Sequence, residues 1–193
     1  MQVRALLPLV LIALAFGACA TASGEARRAL REGRYGDAAT GFEDVLAKEP
    51  DKIDALVGLG VAKYRAGAFD EALPPLDRAV AREPKLPVAR LYLGLAHLRR
   101  GEIGPVEEHF TTLVAERPGT RLAAQAERVL KLLRGSDPTS DELRTFMAES
   151  LENEATAERE VADAERRARE AEWRWRDPYY WGTPVIIRRC RRC

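Results

Sequence analysis

From Leu56 to Leu133 apolar residues recur every three or four positions, the spacing of helices that bury one face and wet the other. The pattern is interrupted at regular points. Gly33, Gly67 and Gly101 lie 34 residues apart, as do Pro50, Pro84 and Pro118, each proline seventeen residues after its glycine. Glycine closes a helix by taking a positive φ and proline cannot continue one, so each period predicts two helices joined by a tight turn. Leu56, Leu59, Gly60 and Lys63 share one face of the first helix of the second period. Leu59-Gly60 and Leu93-Gly94 repeat in register, followed by Ala38, Ala72 and Val106, then by Phe42, Leu76 and Phe110. The small Gly60 and Gly94 are expected opposite Ala72 and Val106, letting paired helices approach closely, while Leu76, Ala79, Phe110 and Leu113 fill the seam with the next repeat. Pro74 and Pro75 lie a turn inside a helix and are expected to distort its first turn. Pro105 falls near a helix start, where proline is tolerated.

The 34-residue period with its LG, A, F and P positions resembles the tetratricopeptide repeat. The resemblance covers residues 19–135 and implies an all-α solenoid of helical hairpins: repeats 19–52, 53–86 and 87–120, then a capping helix 121–134 carrying Leu122, Ala126, Val129, Leu130 and Leu133. Repeat one departs from the family, with Glu25 and Ala26 at the LG positions and Ala22 and Ala29 in place of large apolar residues, and reads as a shallow polar cap. The family's concave groove positions carry over to Asp54, Val57, Val61, Tyr64 and Arg65, then Val88, Leu91, Leu95, Leu98 and Arg99, with Gln125 and Val129 from the last helix. Relatives that grip a C-terminal carboxylate place Lys and Asn where this chain has Val57, Val61, Leu91 and Leu95, so that clamp is missing. The resemblance implies an apolar groove for an amphipathic helix or extended apolar segment, oriented by Tyr64, Arg65 and Arg99. The chain's own Leu143–Leu151 stretch or its tail is an alternative occupant.

After a linker at 136–140, residues 141–175 run without Pro or Gly and are rich in Glu, Arg and Ala, predicting one long charged helix. Leu143, Phe146, Met147 and Leu151 offer it an early apolar stripe. Ala157, Val161, Ala164, Ala168, Ala171 and Trp175 form a thin, heptad-like later seam, too poor in buried area for a strong free coiled coil; a solvated, salt-bridged helix is the simpler expectation. The tail, 176–193, brings Tyr179, Tyr180 and Trp181, then Val185 to Ile187, then four arginines, and suits a docking clasp or a surface contact.

Composition narrows the chemistry. The 193 residues are 46% hydrophobic and 32% charged, with 31 basic against 30 acidic side chains. A net charge of +1 gives no global pull toward nucleic acid. Two histidines and three cysteines leave few parts for catalysis, so neither a cofactor, a metal nor a small-molecule substrate is expected. His97 and His109 have no HExxH or ExxH context, and His97 holds an aromatic position of the repeat, which suits packing. Ser23, Ser136, Ser140 and Ser150 fall at expected caps, linkers or exposed helix, and no hydrolase triad can be assembled. Cys190 and Cys193 form a terminal CxxC without the βαβ setting of a redox enzyme; with two soft ligands it falls short of a zinc site and suits a disulfide.

At the other end Arg4 precedes an unbroken apolar run, Ala5 to Phe16. Twelve helical residues span roughly 18 Å, short of a hydrocarbon core of about 30 Å, so residues 1–18 read as a secretory signal. Phe16-Gly17-Ala18-Cys19 resembles a bacterial lipobox, with Phe16 standing where Leu is usual. That likeness implies lipidation of Cys19, and Ala20 in place of Asp implies sorting to the outer membrane. Ordinary secretion, with cleavage at Ala18-Cys19-Ala20 or Ala20-Thr21-Ala22, is the alternative. These features together lead to the expectation of a non-enzymatic, membrane-anchored scaffold that holds a protein partner of an envelope machinery. A structural envelope protein whose aromatic, basic tail contacts cell wall or membrane is the second reading, and an enzyme or redox factor the weakest.

Overall fold

A computed structural model describes residues 22–135 and 140–176, all of whose regular elements are helices. These are α1 (residues 22–31), α2 (Tyr35–Lys48), α3 (Ile53–Arg65), α4 (Phe69–Arg82), α5 (Pro87–Arg100), α6 (Ile103–Glu116), α7 (Arg121–Gly135) and α8 (Asp141–Arg176). Gly33, Gly67 and Gly101 turn the chain between the two helices of each repeat with φ of +77°, +81° and +78°. A side chain is strained in that region, which is why glycine holds all three positions. Gly119, at +77°, makes a fourth such turn before α7.

From α2 to α7 each helix packs on the next in sequence, and α3 also packs directly on α5. That last contact sets the first helices of repeats two and three side by side. The core is built from small residues receiving large ones. A Cβ on Gly60 would fall inside Leu76, and one on Gly94 inside the Phe110 ring. The close approach is therefore to Leu76 and Phe110 of the same repeat, not to Ala72 and Val106 as the pattern suggested. Gly58 receives the Phe42 ring from the preceding repeat, so the same device joins neighbours. Leu76, Phe42 and Phe110 are all fully buried.

Pro74 and Pro75 do not interrupt α4, which runs unbroken from Phe69 to Arg82. Pro75 is buried beside Ala72, Leu76 and Ala79, and burial of that face holds the helix despite the missing N–H groups. The shallow first repeat is reproduced in α1, whose buried residues Ser23, Ala26 and Ala29 are all small. Ion pairs add ties between helices: Lys63 of α3 reaches Glu43 of α2 at 3.2 Å and Glu71 of α4 at 2.9 Å. Such exposed pairs contribute little individually.

The chain divides into two compact units inside α8, after Leu151, and not at the linker 136–140. The physical reason lies in the helix itself: Met147, Ala148 and Leu151 are buried, so its first eleven residues belong with the repeats. In the second unit α8 continues to Arg176. Side chains 159–171 there are exposed, including Val161 and Ala164 of the thin seam, and Arg166 pairs with Asp163 at 2.6 Å.

Gly94→Ala is expected to destabilise the protein by about 1–3 kcal/mol, because the Phe110 ring has nowhere to retreat. Gly104, with nothing within 4 Å of an added Cβ, is the control: Gly104→Ala should gain about 0.5–1 kcal/mol from helix propensity alone. Urea unfolding of the two variants checks both signs.

Candidate binding groove

The predicted groove positions lie on α3 and α5, which pack side by side, and on α7, which packs on α6. Asp54 is exposed at its rim and accepts a 3.0 Å ion pair from Arg27 of α1. Val57 and Val88 are half-buried, and Val61 and Tyr64 are buried. The Tyr64 ring packs on Phe69 and edge-on against Tyr92, with centroids 5.4 and 5.3 Å apart. Arg65 donates to the Tyr92 hydroxyl at 3.3 Å. Arg99 lies over the Phe69 ring at 4.9 Å, a cation–π contact, and its buried Nε makes no hydrogen bond among the described residues.

Phe69 and Tyr92 thus complete an aromatic and guanidinium cluster that the groove positions alone did not name. Tyr92 sits between Leu91 and Leu93 in an unbroken apolar run, where no periodic signal separates a floor residue from one turned to the next repeat. Phe69 is the first residue of α4, outside the helices that supply groove positions in the family.

Toward α7 the face is closed. Leu91, Leu95, Leu98 and Val129 are each 1% exposed or less, and the start of α8 touches the end of α5 and Gln125 of α7. Two contacts set its course. Arg144 lies at the end of α5, where a Cβ on Gly101 would sit 3.6 Å from its guanidinium carbon. Gln125 of α7 donates to the Ser150 hydroxyl at 2.6 Å. The six-residue step from Arg144 to Ser150 advances about 9 Å along α8. Met147, Ala148 and Leu151, all at most 1% exposed, share one face of this segment. Burying side chains of the Met147 and Leu151 kind stabilises by roughly 1.5–3 kcal/mol each.

Phe146 departs from the expected stripe: it is 68% exposed. At 100° per residue it falls on the side of α8 opposite the arc of Met147, Ala148 and Leu151. Ser150 is likewise a groove contact instead of an exposed helix residue, and Ser23 is buried in α1.

At its other end the groove is open. A cleft of about 590 Å³ is lined by Arg27, Asp54, Val57, Leu86 and Val88, together with Asp51, Lys52, Ile53 and Glu83. Its floor is apolar and its walls carry both signs of charge. A more polar recess of about 470 Å³ between α1 and α2 is lined by Arg28, Glu32, Arg34 and Asp37. There hydrogen bonds from Arg28 and Arg34 hold the Glu32 carboxyl down at about 2.

His97 and His109 stack between α5 and α6, with ring centroids 5.7 Å apart and planes 14° from parallel. His97 Nδ1 lies 2.7 Å from Glu102, and His109 Nδ1 3.5 Å from Arg90. Burial pushes the His109 imidazole below its ordinary value, reinforced by His97 and Arg90 and opposed by Glu108. Among the described residues no three His, Cys, Asp or Glu are placed to hold a metal ion, and no helix is long and apolar enough to cross a membrane. Cys19, Cys190 and Cys193 lie outside the described residues.

The family model of the tetratricopeptide repeat matches residues 24–87 and 64–104. Over these residues the chain carries tetratricopeptide repeats. No curated protein matches the sequence. Among solved structures the chain is similar to the type III secretion chaperone SycD of Yersinia enterocolitica in complex with a peptide of the translocator YopD. The TM-score is 0.57 at 16% identity, covering 61% of this chain and 93% of that one. It is equally similar to the first tetratricopeptide domain of Spaghetti (RPAP3) bound to the HSP90 peptide SRMEEVD, with TM-score 0.57 and 15% identity over 61% and 96% of the two chains. The O-GlcNAc transferase of Thermobaculum terrenum, as its K341M mutant, matches with TM-score 0.56 and 23% identity, over 70% of this chain and 26% of that one. At such identities the likeness is one of fold.

Two outcomes are expected. Leu151→Ala should weaken docking of α8 by about 2–5 kcal/mol, whereas Phe146→Ser should change it by no more than about 0.5 kcal/mol; hydrogen exchange of amides 144–151 reads both. His109 binds a proton less readily when folded than in the unfolded chain, where its pKa is about 6.5. Its contribution is therefore complete above pH of about 6.5 and is lost as pH falls toward the folded value. The melting temperature should drop between pH 7 and 5, and His109→Gln should flatten that drop.

Proposed function

We propose that this protein is a non-enzymatic scaffold of the bacterial envelope. A lipid on Cys19 tethers it to the periplasmic side of the outer membrane, and its groove holds a protein component of an assembly or secretion machinery. The observation that carries the reading is the concave face itself. Where α3 packs beside α5, Ile53, Val57, Leu86 and Val88 line an apolar floor with charged groups at its edges, the chemistry of a site for a peptide or a helix. The similar structures of SycD and RPAP3 each hold a peptide, which supports a protein ligand. The anchor rests on Phe16-Gly17-Ala18-Cys19 and the apolar run before it.

Two experiments test the halves separately. Cys19→Ser should abolish incorporation of labelled palmitate and move the protein from the membrane to the soluble fraction; unchanged labelling would remove the anchor. A Val57→Asp, Val88→Asp pair alters half-buried residues at the open cleft and should leave the fold intact. It should reduce crosslinking to envelope proteins in cells at least tenfold, and equal crosslinking would show that the groove is not the binding surface.

A further inference from the structure

We infer that residues 141–151 of α8 are a built-in ligand of the groove, displaced by a partner that presents an amphipathic helix with the same apolar stripe. The inference rests on the reading that the groove takes a protein partner, and names the partner's chemistry and the step that regulates its entry.

The seated segment displays what the site selects. Met147, Ala148 and Leu151 occur at i, i+1 and i+4 and are buried to 1% or less, so the site takes a narrow apolar stripe one helical turn long. Ser150 adds a hydrogen-bonding group beside the stripe, met by Gln125 at 2.6 Å. Arg144 lies within van der Waals reach of the Gly101 turn at the entrance. These are the features of a helix-in-groove complex, here supplied in cis.

The segment also has the limits expected of a displaceable ligand. It touches the Gly101 end of α5 and Gln125 of α7, and none of its residues lines the cleft walled by Asp54, Val57 and Val88. A partner can therefore take a first hold on exposed apolar surface before it competes for the covered part. Residues 136–140, the short polar stretch Ser-Asp-Pro-Thr-Ser, tether the segment. A short tether holds an internal ligand at an effective concentration on the order of millimolar. A free helix of equal intrinsic affinity thus meets a closed site, and only a longer helix that also occupies the open cleft prevails.

The test uses the full mature chain and a fluorescein-labelled peptide of residues 140–152, read by anisotropy. Met147→Glu with Leu151→Glu on α8 leaves every groove residue untouched and should release the segment. The peptide should bind this variant at least tenfold more tightly than the unsubstituted chain, with a scrambled peptide binding neither. Equal binding to both chains overturns the inference. To separate release of the segment from loss of fold, a second form carries a protease site within 136–140 and is folded before cutting. After cutting and dilution the segment should leave, the repeats should keep their helical circular dichroism, and the labelled peptide should take its place. Unfolding of the repeats on release would make the segment a structural member of the fold and overturn the inference. Failure of the partner reading looks different: the opened groove binds the peptide, yet crosslinks to no envelope protein in cells.

Discussion

Everything in the repeat body depends on large side chains seated against missing ones. Gly60 and Gly94 lack a Cβ where Leu76 and Phe110 press in, and Gly58 does the same for Phe42 across a repeat boundary. Dispersion contacts at such short range are lost quickly when surfaces separate, so the approach distance of each helix pair is set by two or three positions. Once the hairpins are fixed at that spacing, α3 is brought against α5, and a concave face follows without any residue being dedicated to shaping it.

The fold was legible because its punctuation is physical. A glycine that must take positive φ and a proline that must not sit within a helix leave marks at a constant interval, and Gly33, Gly67 and Gly101 behave as those marks require. Pairing within the interval was less legible. Periodicity placed Gly60 and Leu76 on inward faces but could not say that they meet each other, since contact depends on the crossing of two helices and not on either one alone. Pro74 and Pro75 mislead for a related reason: the local penalty is real, but tertiary burial of Pro75 outweighs it.

The groove was readable as a set of positions and not as a state. The same residues that the repeat pattern names divide in the structure into an exposed edge around Asp54, Val57 and Val88 and a sealed end around Leu91, Leu95 and Leu98. Beside the sealed end lies the start of α8, whose buried face could be placed only by rotating Phe146 away from the stripe. A one-residue change of phase on a helix moves a side chain by 100°, and composition alone does not resolve that angle. The Tyr64, Phe69 and Tyr92 cluster was hidden in another way, because its members come from three different helices.

The shallow, alanine-built grip of α1 has a mechanical consequence. In a linear array each hairpin is held by its neighbours, and an end unit has only one. Here that end contributes Ala26 and Ala29 where later repeats bury leucines and aromatic rings, so its hold on the array rests on less apolar area. A load arriving through the residues ahead of Ser23 would peel α1 away first while α3 to α7 stayed whole. The first repeat is then a yielding joint, able to lengthen the connection to whatever lies upstream without disturbing the face that binds.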